Sequence, residues 1–293
     1  MKQAGATALF PAAAFAVLFL CSQVTAEERH PSSTVIPTRS SYDAAILSDH
    51  PVLFLNLGNH GQQSFEGDEA GSRIRGVYLP AGSLPASVKM PNGDVAPTFD
   101  GAAQYLEVAS SPLFSIATTG ILTIEAWIAP KTLQFKHVEG SGYVYWLGKG
   151  EPSQYEYAGR MYSATNREKP PRPNRISGYA FNRNGGLGSG SYFQDPVGVE
   201  EWIYVTLIFN TRNVSPKYPS GYCSIFKNGI LRAVTPLAQF DVEPVAGEAP
   251  LRIGTFNGGS YFAGAIGKVA IYDYELSSEQ MLLHARLMFG LSR

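Results

Sequence analysis

The sequence is short of cysteine, of charge and of long apolar runs, and each shortage closes off a class of protein. Two cysteines occur in 293 residues. Cys21 falls in an N-terminal leader, which leaves Cys223 alone and rules out an internal disulfide in the remainder. An exported chain of this length can bury a sufficient core without one. Charged residues make up 16% of the chain and almost cancel, at a formal net charge of −1. That balance gives no electrostatic basis for binding nucleic acid or an anionic membrane surface. The five histidines, at positions 30, 50, 60, 137 and 284, show neither metal-ligand spacing nor a Ser-His-Asp order. One apolar run, Ala8–Leu20, follows Lys2. It is too short and too weakly flanked for a transmembrane span, and Val24-Thr25-Ala26 supplies the small residues of a cleavage site. We therefore expect a signal peptide over residues 1–26 and export. Leu20 before Cys21 fits a lipoprotein signal poorly.

Glycine (30), proline (20) and tyrosine (16) are plentiful instead. With modest charge, this composition suits an all-β domain with many turns, and the length suits one large sandwich better than two small domains. Residues 27–41 are polar, contain Pro31 and Pro37 and show no periodicity, so they read as a flexible tether ahead of a domain over 42–293. Tyr42–Asp49 has room for one or two helical turns, and Val52–Leu57 is the first strand, begun after Pro51. In residues 121–130, Leu122, Ile124, Ala126 and Ile128 share one strand face, with Glu125 and Trp127 on the other. Tyr143–Leu147 reads as another strand, and Ile203, Val205, Leu207 and Phe209 line one face of a third. Asn228-Gly229 between two apolar runs is the strongest short hairpin signal in the chain. Cys223 lies in one of those runs and reads as a small buried hydrophobe.

The stretch from Pro250 to Met288 closes the pattern. Leu251 and Ile253 alternate with Arg252 and Gly254, and Asn257-Gly258-Gly259 lets the chain reverse. Val269 and Ile271 then share a strand face, with Lys268, Ala270 and Tyr272 on the other. Ser277 and Gln280 form a capping box that opens a helix with Met281, Leu282, Ala285 and Met288 as its buried stripe. This ending, the Thr-Ile-Glu-Ala-Trp strand at 123–127 and the order of segments from Tyr42 to Met288 resemble the laminin G-like domains of the concanavalin A-like lectin/glucanase superfamily. The resemblance implies an all-β, antiparallel β-sandwich of jelly-roll type with a short C-terminal helix.

Residues 150–196 are the least ordinary part of the chain. Five tyrosines between Tyr155 and Tyr192 are interleaved with five arginines between Arg160 and Arg183. Sugars offer hydroxyls to amides and guanidinium groups and apolar C–H faces to rings, and arginine can also hold a carboxylate in bidentate fashion. We take Arg160, Arg175, Tyr179, Asn182, Tyr192 and Gln194 as candidate ligand-binding residues. The bland alternative is an edge hairpin whose tyrosines pack and whose arginines keep it soluble. The glycine-rich run Gly185–Ser191 lacks the Lys-Ser/Thr ending of a phosphate loop and reads as a flexible turn.

The superfamily includes glycosidases and polysaccharide lyases. Its glucanases carry Glu-x-Asp-x-Glu on one strand, where a period of two aligns the acids; the nearest match here is Asp273-Tyr274-Glu275 at the strand-to-helix turn. The acids Glu66, Asp68, Glu69, Asp94 and Asp100 lie at turns and are hard oxygen donors of the kind calcium prefers. Related jelly rolls often hold a structural calcium with an acidic residue in the penultimate strand, where this chain has Gly267-Lys268. We expect no cofactor, with structural calcium as the alternative. The expected function is an exported, non-catalytic recognition module for a carbohydrate or glycoconjugate. A hydrolase or lyase of the same superfamily and a surface adhesion protein are the alternatives, and oligomeric state has no signal.

Overall fold

The computed structural model describes residues 39–58 and 63–291. The expected signal peptide, tether residues 27–38, His30 and His60 lie outside the described residues. Helix α1 (Ser41–Ser48) leads into β1 (Leu53–Leu55), β2 (Phe65–Gly67), β3 (Arg75–Leu79), β4 (Ala86–Lys89), β5 (Val95–Asp100) and β6 (Tyr105–Val108). A one-turn helix α2 (Ile116–Thr119) precedes β7 (Ile121–Pro130), β8 (Tyr143–Lys149), β9 (Tyr157–Tyr162), β10 (Ile176–Asn182) and β11 (Gly185–Phe193). Then follow β12 (Ile203–Asn210), β13 (Tyr222–Lys227), β14 (Ile230–Pro236), β15 (Leu251–Ile253), β16 (Ala263–Tyr272) and α3 (Ser278–Met288). These strands form two antiparallel sheets. Sheet A runs β14-β13-β12-β7-β16-β5-β4 with β1 also on β16, and sheet B runs β11-β10-β9-β8-β15-β6-β3-β2.

Alternation along the strands builds the core between the sheets. Ile124, Ile128, Leu207 and Val269 from sheet A meet Val144, Trp146, Met161 and Ile176 from sheet B, all fully buried. Each such side chain contributes on the order of 1.5–3 kcal/mol by leaving water. Cys223 belongs to this core as a free, buried thiol. The Asn228-Gly229 turn joins β13 to β14 with φ of 53° and 79°, the left-handed pair that a tight hairpin requires. The Asn257-Gly258-Gly259 turn reverses the chain, flanked by the antiparallel Thr255–Tyr261 bridge, on its way from β15 in sheet B to β16 in sheet A.

The other face of sheet A is covered by α1 and α3. Tyr42, Trp127, Tyr204, Met281 and Met288 pack there, all buried, with Trp127 stacked on Tyr204 at 5.1 Å. The capping box at Ser277 and Gln280 is formed. Leu282 is only half-buried, and His284 takes the central place in the buried stripe instead. Its Nδ1 and Nε2 each lie 3.0 Å from a carboxylate oxygen, of Glu125 and Asp49 respectively. Both ring nitrogens can donate only in the imidazolium form. Tyr204 and Tyr272 hydroxyls donate to the same Glu125 carboxylate. Glu125 is therefore part of a closed structural network under α3.

A second internal charge sits at the bulge in β16. Lys268 has φ +55°, and the ladder to β7 shifts register between Gly267 and Ala270. The bulge aims the side chain toward α1. Its ammonium donates to Asp43 Oδ1 and Asn56 Oδ1 at 2.7 Å each and contacts Asp94 Oδ2 at 2.8 Å, with Lys268 1% exposed. The other acids of the 66–100 segment have protein donors too. Asp68 accepts from the backbone N–H of Phe54, Ala70 and Ser72, Asp100 from those of Ala102, Ala103 and Gln104, and Glu66 from the Tyr78 hydroxyl. The ammonium fills the oxygen set around Asp43, Asn56 and Asp94, the position a cation there would take.

Candidate functional site

The outer face of sheet B carries the candidate site. In β8, Val144 and Trp146 point into the core, so Tyr143 and Tyr145 point out; in β9 the outward residues are Ala158, Arg160 and Tyr162, and in β10 they are Ser177, Tyr179 and Phe181. Arg160 is paired directly with Tyr145 on one side and Ser177 on the other, with Tyr143 and Tyr179 on the diagonals. This register surrounds the guanidinium with rings. Its Cζ lies 4.4 Å from the centroids of Tyr143 and Tyr179 and 5.1 Å from those of Tyr145 and Phe181. Nη2 donates to the Tyr145 hydroxyl at 3.0 Å. Burial and the loss of solvation push the Tyr145 phenol above its ordinary value, so it stays neutral.

The glycine-rich run is part of this construction. Gly185–Phe193 is the edge strand β11, a correction to the flexible turn expected from composition. Gly188 and Gly190 occupy its outward positions. A Cβ on Gly188 would meet the Phe181 ring at 2.6 Å, and one on Gly190 would meet Tyr179 Cδ1 at 2.5 Å. Bare backbone is needed there because rings from β10 lie across the edge strand.

A cavity of about 270 Å³ opens among these groups, with Arg160, Tyr145 and Phe181 joined by Tyr155, Asn184 and Glu139. Glu139 is the one carboxylate among its described lining residues, and it accepts from Ser260 Oγ at 3.3 Å. Of the residues proposed from sequence, Arg160 lines the cavity and Tyr179 stacks on it. Arg175, Tyr192 and Gln194 form a separate exposed group at the edge of the same sheet. The Arg175 guanidinium lies 3.7 Å over the Tyr192 ring and donates twice to Gln194 Oε1, at 3.1 and 3.0 Å. Asn182 is used elsewhere: its amide donates to Asp241 O at 3.0 Å and accepts from Glu243 N–H at 2.9 Å, pinning that loop. Sequence reasoning passed over Tyr143, Tyr145 and Glu139. The alternation in Tyr-Val-Tyr-Trp-Leu was the available signal, since it leaves two tyrosines on the face away from the core.

The pattern that defines the concanavalin A-like lectin/glucanases superfamily, in a laminin G form, matches residues 100–281. The chain belongs to this superfamily. Similar solved structures include the receptor-binding domain of a botulinum neurotoxin C/D mosaic serotype, at 12% identity and TM-score 0.58, covering 81% of this chain and 51% of that one. The botulinum neurotoxin serotype D ligand-binding domain, solved in complex with N-acetylneuraminic acid, shows 14% identity and TM-score 0.57 over 84% of this chain and 52% of its own. The type G receptor-binding domain shows 11% identity and TM-score 0.53, over 81% and 51%. At such identities the likeness is one of fold, and this chain spans about half the length of each. No curated protein matches it.

Proposed function

We propose that this protein is an exported, non-catalytic recognition module whose ligand is a carbohydrate, seated in the cavity around Arg160. The observation that carries the reading is a nine-tenths buried arginine set among four rings at the wall of a cavity. Rings offer platforms for sugar C–H faces, while Asn184 and Glu139 offer a donor and an acceptor for hydroxyls. Superfamily membership and the sialic acid complex of the serotype D domain support a sugar over other ligands. Glycoside hydrolysis by two carboxyl groups across the scissile bond would need a partner for Glu139 in the cavity, and the described lining supplies none.

The test is a glycan array on the secreted protein, followed by calorimetry with the strongest hit. Tyr143→Ala and Tyr155→Ala, both in the cavity lining, should each weaken binding by about 1–3 kcal/mol, as central contacts do. Circular dichroism establishes that each variant folds. A folded double variant with full affinity places the ligand elsewhere, with the Arg175–Tyr192–Gln194 edge as the next region to probe.

A further inference from the structure

We propose that the ligand of this cavity bears an oxyanion, a carboxylate or sulfate on a sugar ring, and that Arg160 is the group that receives it. This rests on the carbohydrate reading above and narrows it to anionic glycans. The basis is an imbalance around one side chain. Arg160 is 8% exposed, and a guanidinium remains charged throughout the pH range of folded proteins. Arg172, Arg232 and Arg252 have carboxylate partners, Glu168, Asp195 and the pair Glu107 and Glu151, while Arg167, Arg175 and Arg183 are more exposed and bond carbonyl or amide oxygens. Among the described residues Arg160 has no carboxylate partner. Its hydrogen bonding is limited to Nη2 on the Tyr145 hydroxyl, and its Nε is buried with no acceptor.

The surrounding rings account for only part of what this cation needs. They stabilise its charge through their π-faces. Hydrogen bonding runs in the guanidinium plane, and the stacked Tyr143 and Tyr179 rings cannot accept there. The directly paired residue Ser177 is likewise buried with a partnerless hydroxyl, so two neighbouring polar groups on the outward face lack partners. A buried charge without a counter-charge is costly in a folded protein, and the cost is offset when a partner arrives in the right geometry. Glu139 lines the same cavity, yet it accepts its hydrogen bond from Ser260 Oγ. The cavity thus presents a cation in its wall and an acceptor beside it, which matches a ring bearing one oxyanion and several hydroxyls. A planar guanidinium suits carboxylate and sulfate alike, so recognition of the oxyanion is the shared chemistry.

The experiment uses the secreted protein on an array that holds neutral, carboxylated and sulfated glycans. Calorimetry then compares the strongest hit with its own neutralised form, a methyl ester for a carboxylate or the desulfated glycan for a sulfate. The expected result is an anionic strongest hit whose neutral form binds on the order of thirtyfold more weakly, as when one partner of a desolvated ion pair is lost. The carboxylate and sulfate arms tell which oxyanion it is. Arg160→Lys, which keeps the charge but loses the planar fork, should weaken the anionic glycan by about tenfold. If that variant does not fold, the comparison of the two glycan forms on the unaltered protein still decides. A strongest hit that is neutral, or neutralisation without loss, overturns the anionic inference and leaves the carbohydrate reading standing. Absence of any glycan hit for the folded protein overturns both.

Discussion

Replacing Lys268 by Met should destabilise the domain strongly, because it removes the ammonium and keeps the stem. Asp43 is 4% exposed and would lose its 2.7 Å partner, keeping the Asn56 amide at 2.8 Å. Asp94 is better placed, since it is partly exposed and still accepts from Asn92. The loss therefore concentrates on Asp43, and stranding one carboxylate of a buried pair costs about 3–5 kcal/mol. In a domain of this size that corresponds to roughly 6–20 °C in Tm. Adding Asp43→Asn to the Met variant should recover part of the loss, since the uncompensated buried carboxylate is then gone. Thermal melts of the unaltered protein, Lys268→Met, Asp43→Asn and the double variant measure this cycle. A drop of under about 2 °C for Lys268→Met, or simple addition in the double variant, would refute the account. The pH dependence follows with a definite sign. Burial alone would raise the Asp94 carboxyl, but its hydrogen bond to Lys268 and the lysine charge prevail and hold it below its ordinary value. That contribution is complete above the ordinary carboxylate value and is lost as pH falls through the depressed one, so Lys268→Met should flatten the acid limb. Chelator should leave the Tm of the unaltered protein unchanged, because the ammonium occupies the oxygen set.

Three further outcomes are expected. Burial opposes charge on His284, but Glu125 and then Asp49 prevail and hold its imidazole above its ordinary value; the stability this gives is complete below that ordinary value and lost as pH rises through the raised one, so Tm should decline on the basic side and His284→Gln should remove that decline. The Cys223 thiol is pushed up to about 12 by burial, so a thiol reagent should label the protein only in denaturant, and labelling of native protein would show that the core opens. N-terminal sequencing of exported material should begin at Glu27; a lipid-modified Cys21 would contradict the reading of the leader.

The elements legible in the sequence are those whose cause is local. The alternation in residues 121–130 and 203–209, the Asn228-Gly229 hairpin and the Ser277 capping box are each set by a few neighbouring residues, and each is present. Features that depend on partners far apart in the chain were not legible. Lys268 meets Asp43 across 225 residues, and His284 meets Glu125 across 159. Both charges are internal because of pairings that no window of sequence displays. The glycines of β11 misled for a related reason. Their role is to lie under the Tyr179 and Phe181 rings of β10, and by composition alone a glycine-rich strand resembles a turn. Within the candidate site, Arg160 and Tyr179 stood out by residue type, whereas the alternation that turns Tyr143 and Tyr145 outward gave no sign that Arg160 is paired beside them.

The two outward faces of the sandwich differ in a way that bears on the proposed recognition site. Each sheet carries a second aromatic layer on the side away from the core. On sheet A that layer is covered by α1 and α3, and its charged groups, Glu125, His284 and Lys268, are matched with partners from those helices and from adjacent loops. On sheet B no helix among the described residues lies over the rings, and they shield one another instead: Phe181 and Phe256 are 3% and 2% exposed. The charge within that layer, Arg160, lacks the counter-charge that its equivalents on sheet A possess. A sandwich whose described ions are matched over sheet A, and whose Arg160 beside the sheet B cavity is not, supports the proposal that the missing partner comes from the ligand.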